Sequence, residues 1–325
     1  MAFFSYLCLN IIRGMFACLD KEKDMLELKN VTKYYGDVLA VDDLSFSVKD
    51  GQIFGLLGVN GAGKTTTFRM IINLLDKNKG SILLDGKPID YTVTNKIGFL
   101  TEERSLLLKL TVLEQAIFYG VLKGLSEKEV EKRLDVLLER FHISQYKNRK
   151  IKELSKGNQQ KVQFITAILH EPKLLILDEP FSGLDPINVQ EFMDMITELK
   201  NKGTSIIFSS HRMEHVELFC DELVILVNGK AVLQGNLQEI KKLYRKKNVR
   251  IQADCDIKSL EKIDGVVSVT KDNGDGDIIV KIADESKISN VFNYVKKLEN
   301  VTKFVVEEPS LNEIFIAKVG EKYEK

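Results

Sequence analysis

The chain has 325 residues, room for two domains rather than three. Apolar residues make up 44% and charged residues 29%, a globular balance that excludes fibrous and fully disordered classes. The 47 basic residues cancel the 47 acidic ones, so there is no electrostatic footprint for nucleic acid. The four cysteines (Cys8, Cys18, Cys220, Cys255) form no C-x-x-C pair, which argues against a disulfide framework or zinc cluster and for a reduced, cytosolic setting.

The opening run "MAFFSYLCLNIIRGMFACL" is apolar but interrupted by Asn10 and Arg13. It falls short of the roughly 18–20 uninterrupted residues of a membrane span and lacks the basic n-region of a signal peptide. The preferred reading takes Met25 as the natural start and residues 1–24 as an upstream extension, because Lys21-Glu22 can be encoded by a ribosome-binding sequence. A membrane-surface helix and a plain tail are the alternatives.

From Met25 the pattern alternates as strands: "MLELKNV", "LSFSV" and, after a "KDG" turn, "GQIFGLLG". "IFGLLG" is uniformly apolar, as a buried parallel strand should be. It runs into a glycine loop and then "KTTTFRMIINLL", read as a helix. "GSILLDGKPI" reads as a strand pair about an Asp85-Gly86 turn. "KIGFLTEERSLL" at 96–107 is a strand that ends in the acids Glu102 and Glu103. Residues 111–149 turn helical: Val130, Leu134, Leu137, Leu138 and Phe141 share a face, and Ser126 with Glu129 forms a capping box. Strands return at "KLLILDEP", "SIIFSSH" and "ELVILVNGKAVLQG" between helical stretches, which predicts a parallel sheet with crossover helices.

A basic run at 241–248, "KKLYRKKN", reads as a hinge. Beyond it the order is strand, helix, strand, a "DNGDG" turn, strand, helix, strand: a small ferredoxin-like domain. Its second helix, over 286–298, aligns Ile288, Val291, Phe292, Val295 and Leu298. "DNGDGD" lacks the glutamate that a calcium loop needs at its twelfth position, so it reads as a hairpin turn.

Three motifs carry chemistry. "GVNGAGKT" at 58–65 matches G-x-x-x-x-G-K-[ST] after an apolar strand and at a helix start. There converging backbone N–H groups cradle phosphate, Lys64 reaches the β- and γ-phosphates and Thr65 ligates Mg²⁺. "LLILDEP" at 174–180 places Asp178 at a strand tip, suited to the Mg²⁺ shell, and Glu179 next to it, able to polarise an attacking water. "LSKGNQQKV" at 154–162 is, on its own, a Ser N-cap before a helix.

Together these motifs resemble the ATP-binding cassette (ABC) family over residues 25–240. "LSKGN" resembles the L-S-G-G-Q signature: Ser155 and Gly157 match its contact positions, while Lys156 replaces a glycine and Asn158 the glutamine. "SGLDP" resembles the D-loop with Asp185, "SSHRM" the switch histidine with His211, and "TKYYGD" the adenine-stacking aromatic with Tyr35, Tyr34 being the neighbouring choice. The resemblance implies that ATP is held by Gly58, Asn60, Gly61, Ala62, Gly63, Lys64, Thr65 and Thr66, with Ser155, Gly157 and Asp185 meeting the nucleotide of a second subunit. It also puts Glu102 where the family carries a glutamine that helps complete the Mg²⁺ and water shell, in a form close to the L-P-E-E-R-G of a sodium- and drug-exporter branch. Glu102 and Lys156 then read as linked departures, an acid on one side and a cation on the other, the alternative being that both point to solvent. The closing "EPSLNEIFIAKVG" at 308–320 resembles the C-terminal domain of that branch.

The implied fold is an α/β P-loop NTPase of ABC type at 25–240 with a helical insert at about 104–160, then a small α+β, ferredoxin-like domain at 248–325. The implied function is an ATPase using ATP and Mg²⁺, a homodimer on the cytoplasmic face of the cell membrane, bound peripherally to a separate transmembrane permease of an exporter. No nucleic-acid partner is expected. A soluble ABC ATPase serving an assembly or regulatory machine is the alternative. The 91 positions from Lys64 to Ser155 are too few for the coiled coil of DNA-repair types.

Overall fold

The computed structural model describes residues 24–90, 93–102, 105–244, 247–271 and 276–323. The extension at 1–23, Glu103 and Arg104, and most of the expected "DNGDG" turn lie outside the described residues. The chain divides into two compact units between Gln234 and Gly235.

The first unit runs β1 (Asp24–Tyr35), β2 (Val38–Lys49), β3 (Ile53–Leu57), α1 (Lys64–Ile71), β4 (Lys79–Leu84), β5 (Lys87–Pro88), β6 (Ile97–Leu100), α2 (Val112–Leu122), α3 (Glu127–Arg140), α4 (Lys156–Ile168), β7 (Leu174–Leu177), α5 (Pro186–Asn201), β8 (Ser205–Ser210), α6 (Met213–Phe219), β9 (Glu222–Val227) and β10 (Lys230–Asn236). One sheet has the order β10-β9-β3-β8-β7-β6. β3 pairs in parallel with β8 and β9, and β7 with β6 and β8. Every residue of β3 and β7 is buried, which explains their unbroken apolar sequences. A second sheet, β2-β1-β4-β5, pairs antiparallel throughout and was not anticipated as a separate layer. Its inner face (Leu26, Leu28, Val31, Leu44, Phe46) packs in one core with β3 and α1.

The expected helix over 64–75 stops at Ile71. Asn73 takes a left-handed backbone (φ 59°), and Leu74 and Leu75 both turn back to the carbonyl of Arg69. The capping box at Ser126 and Glu129 forms as expected and starts α3. Phe141 after α3, Phe164 of α4 and Phe192 of α5 pack with ring centroids 4.8–5.8 Å apart, fastening the helical insert to the sheet-bearing core.

The second unit contains α7 (Leu237–Leu243), β11 (Lys247–Gln252), α8 (Ile257–Glu261), β12 (Val266–Lys271), β13 (Ile278–Ile282), α9 (Ile288–Val295), β14 (Lys303–Glu307) and α10 (Leu311–Tyr323). Its sheet order, β12-β13-β11-β14, is antiparallel throughout, the ferredoxin-like arrangement. Of the basic run at 241–248, Lys241 and Lys242 lie in the last turn of α7 and Lys247 and Asn248 open β11, while Arg245 and Lys246 lie outside the described residues. In α9, Val291 and Val295 are buried, but Phe292 is half exposed and lies edge-on to Phe304 at 5.2 Å, because at helical spacing it falls on the flank of the stripe rather than at its centre. Among the described residues no helix is long and apolar enough to cross a membrane.

Candidate nucleotide site

β3 delivers the chain at Leu57 into the glycine loop. Gly58 has φ 154°, and a Cβ there would sit 2.6 Å from the Leu226 carbonyl. Gly63 has φ 103°, and a Cβ there would sit 2.6 Å from the Ala40 carbonyl. Both positions therefore require glycine. Asn60 and Gly61 are exposed at the loop's crest, Ala62 is buried beneath it, and Thr65 and Thr66 are half-buried. α1 opens at Gly63 with no side-chain cap, leaving its first N–H groups available to an anion. Lys64, buried, donates from Nζ to the Gly58 carbonyl at 2.7 Å.

β7 and β8 bring the acids to this loop. Thr65 Oγ1 donates to Asp178 Oδ2 at 2.8 Å, and Ser209 Oγ donates to Asp178 Oδ1 at 2.6 Å. Burial pushes the Asp178 carboxyl up, against the downward pull of these two hydroxyls. Ser209 Oγ also accepts the Glu179 N–H at 2.9 Å. Glu179 has a left-handed backbone (φ 49°), an uncommon conformation for a residue with a side chain. Its Oε2 accepts from His211 Nδ1 at 2.9 Å. Its Oε1 is buried without a hydrogen-bond partner among the described residues and lies 3.6 Å from Lys64 Nζ. Lys64, Thr65, Asp178, Glu179 and His211 thus form one cluster.

The remaining expected residues are placed elsewhere. Ser155 caps α4, its Oγ accepting from the Asn158 N–H at 3.3 Å, and is exposed with Lys156. Asp185 caps α5 and holds Asn188 through backbone and side chain. A Cβ at Gly157 would lie 3.4 Å from that Asn188 side chain, so the starts of α4 and α5 are neighbours. Tyr35 ends β1 with 44% of its surface exposed, Lys33 Nζ 5.5 Å above its ring; Tyr34 beside it is 39% exposed. Glu102 is exposed and takes no part in the bonds of the Asp178 cluster described above.

Three residues of the site went unread. Ser209 lies in the "SSH" run, where only His211 stands out, although two consecutive serines closing a buried strand with an apolar centre are a usable signal. Gln160 Nε2 donates to the Pro180 carbonyl at 2.6 Å. Gln163 Nε2 donates to Thr101 Oγ1 at 3.0 Å and to its carbonyl at 3.1 Å. α4 is thereby tied both to the acid loop after β7 and to the loop that carries Glu102.

A separate cleft of about 1270 Å³ lies elsewhere in the first unit. Asp50, Lys173 and Thr204, which line it, precede β3, β7 and β8, whereas Lys64, Asp178 and His211 follow those strands. It mixes Arg133 and Arg140 with Glu129 and Glu198, so no single charge converges there.

A buried parallel strand leading into a lysine-bearing glycine loop, with an acid at the tip of a strand further along the sheet, defines a P-loop nucleoside triphosphatase. The family model "ABC transporter" matches residues 41–182, and the model "ATP-binding protein DrrA1-3-like, C-terminal domain" matches residues 235–319. The ABC transporter ATP-binding protein YhaQ of Bacillus subtilis (strain 168) is 51% identical over 300 residues, covering 92% of this chain and 100% of that protein. Among solved structures, an ATP-binding subunit of an ABC transporter superposes with TM-score 0.64 at 35% identity, over 68% of this chain and 93% of the other. The dimeric structure of MJ0796, a bacterial ABC transporter cassette, gives TM-score 0.61 at 26% identity, over 66% of this chain and 99% of the other. The chain belongs to the ATP-binding subunits of ABC transporters, in the form with a DrrA-like C-terminal domain.

Proposed function

We propose that this chain hydrolyses ATP with Mg²⁺ and, closing against a second copy of itself, powers a separate transmembrane permease that exports its cargo. The observation that carries the reading is the state of Glu179. Its backbone is fastened by Ser209, one carboxylate oxygen is held by His211, and the other is buried with no hydrogen-bond partner among the described residues. A carboxylate held this way beside a P-loop is suited to accept a proton from the water that attacks the γ-phosphorus, as the bond to the ADP oxygen breaks. Lys64 and the N-terminus of α1 offset the phosphate charge.

Thr65 Oγ1 and Asp178 Oδ2, 2.8 Å apart, are two hard oxygens of the kind Mg²⁺ accepts, its other positions going to phosphate and water. These two residues would hold the ion, and its charge would draw electron density from the phosphate being transferred. Glu102, one residue beyond the anchored Thr101, is the proposed third contributor.

Ser155, Gly157 and Asp185 are assigned to the nucleotide of the partner subunit, which the exposure of Ser155 and the likeness to a dimeric cassette support. Tyr35 is assigned to adenine. Exposed Leu107, Leu108, Phe118, Val121 and Leu122, on and beside the helical insert, support docking of a permease there and hence a peripheral place on the cytoplasmic face of the cell membrane. The DrrA-like second unit supports the exporter branch. On this reading the catalytic domain spans 25–240 and the C-terminal domain 248–325.

The test is Glu179→Gln. ATP turnover is expected to fall at least about 100-fold while ATP binding persists and an ATP-dependent dimer accumulates. Unchanged turnover overturns the catalytic assignment. Co-expression with candidate permeases tests the transport assignment, which fails if an active ATPase never co-purifies with a membrane protein.

A further inference from the structure

Two strands border the sheet of the second unit, and they differ as edges. β12 carries a register break between Val266 and Ser268, an irregularity of the kind that blunts an edge against pairing. β14 has none: five consecutive pairs, from Lys303 opposite Gln252 to Glu307 opposite Asn248, run without a shift. No described strand is hydrogen-bonded to its outer side, which leaves a straight row of alternating N–H and C=O groups. Apolar side chains gather at this border on both faces of the sheet. Val305 is 40% exposed, Val306 42% and Phe292, against Phe304, 50%. A regular edge with an apolar centre is a template for another strand.

The residue order within β14 identifies that strand. In antiparallel pairing about a two-fold axis at Val305, the strand Lys303-Phe304-Val305-Val306-Glu307 meets its own copy. Lys303 then faces the partner's Glu307, Phe304 faces the partner's Val306, and Val305 faces the partner's Val305. Both ends match in charge and the middle is apolar throughout, the self-complementarity that an isologous interface requires. The existing ion pairs prolong the pattern. Lys303 holds Asp277 at 2.7 Å and Glu307 holds Arg250 at 3.3 Å, so Asp277, Lys303, the partner's Glu307 and the partner's Arg250 alternate in sign across the seam.

We infer that β14 is a homotypic contact through which two copies of this chain join their C-terminal sheets into one continuous antiparallel sheet. This contact needs no nucleotide, so it stands or falls apart from ATP-driven closure of the first unit.

The experiment is oxidative cross-linking of the full chain without nucleotide. A symmetry axis at Val305 brings two copies of that residue to a Cα separation of about 4.5–5.5 Å, inside disulfide range. Val305→Cys is expected to form a disulfide dimer at least tenfold faster than Val267→Cys on β12, although Val267 is more exposed at 56%. The cross-link should map to position 305 by mass spectrometry. Equal rates, or a cross-link mapping elsewhere, overturn the inference. Adding Glu307→Lys to Val305→Cys should abolish the acceleration, and adding Lys303→Glu as well should restore it by exchanging the two charges. A charge exchange that does not restore it overturns the register.

Discussion

Ser209 holds Asp178 and positions its neighbour with the same oxygen: it donates to Asp178 Oδ1 at 2.6 Å and accepts the Glu179 N–H at 2.9 Å. Ser209→Ala would leave a buried carboxylate oxygen and a buried N–H unpaired. The expected loss is about 1–3 kcal/mol of stability, read by urea unfolding, with a larger proportional loss of ATP turnover than of ATP affinity. Removing a donor that stabilises the charged form also pushes the Asp178 carboxyl further up. The Mg²⁺ requirement should therefore steepen below neutral pH in the variant.

Asp178→Asn separates stability from ion binding. The native fold buries a charge that burial disfavours, and an amide of nearly the same shape removes that cost. Without nucleotide, the variant should melt no lower than the parent. The additional stabilisation by ATP with Mg²⁺ over ATP alone should disappear. A variant that keeps that increment would remove Asp178 from the ion shell.

His170 makes the first unit sensitive to acid. Burial, aided by the Lys123 charge, pushes its pKa from 6.5 to about 4, and Nε2 bonds the Ile97 carbonyl at 3.2 Å. The unfolded chain takes up this proton near pH 6.5, whereas the folded one resists until about 4. The contribution is therefore complete above pH 6.5 and is lost as pH falls toward 4. Allowing for the solvent the ring still meets, it amounts to about 2 kcal/mol. His170→Gln keeps a donor without the titration, so the difference in stability between parent and variant should change by that amount between pH 7 and 4.5.

Gly58→Ala tests the loop geometry. Its Cβ would meet a backbone carbonyl at 2.6 Å in a conformation that side chains avoid. A loss of at least about 2 kcal/mol in stability and of measurable ATP binding is expected by calorimetry.

The legibility of the site follows from the range of the interactions that build it. Gly58, Lys64 and Thr65 sit within one strand–loop–helix, so a local pattern predicts them. Asp178 and Glu179 end an apolar strand for an equally local reason. Ser209 meets them only because β7 pairs with β8 in the register Leu177 to Phe208, a long-range relation that no spacing encodes. Gln160 and Gln163 looked like ordinary polar residues of a helix until the loops beneath them had positions. Among the elements, α7 was missed although Asn236 caps it through two N–H groups, because the preceding strand pattern runs straight into it. Phe292 shares the apolar stripe by spacing yet stays half exposed, because spacing alone does not say which flank of a helix the sheet covers.

Three bonds from two glutamines fasten α4 to the loops on both sides of the acid cluster. Ser155 stands at its tip, and Gln160 and Gln163 grip the loops of the chain's own acid cluster one and two turns further in. A shift of Pro180 or Thr101 would strain these bonds and bear on the helix that starts at Ser155. The acid cluster and the start of α4 are thus joined through side chains as well as through the backbone. Shortening either glutamine would loosen that link without removing any atom of the glycine loop.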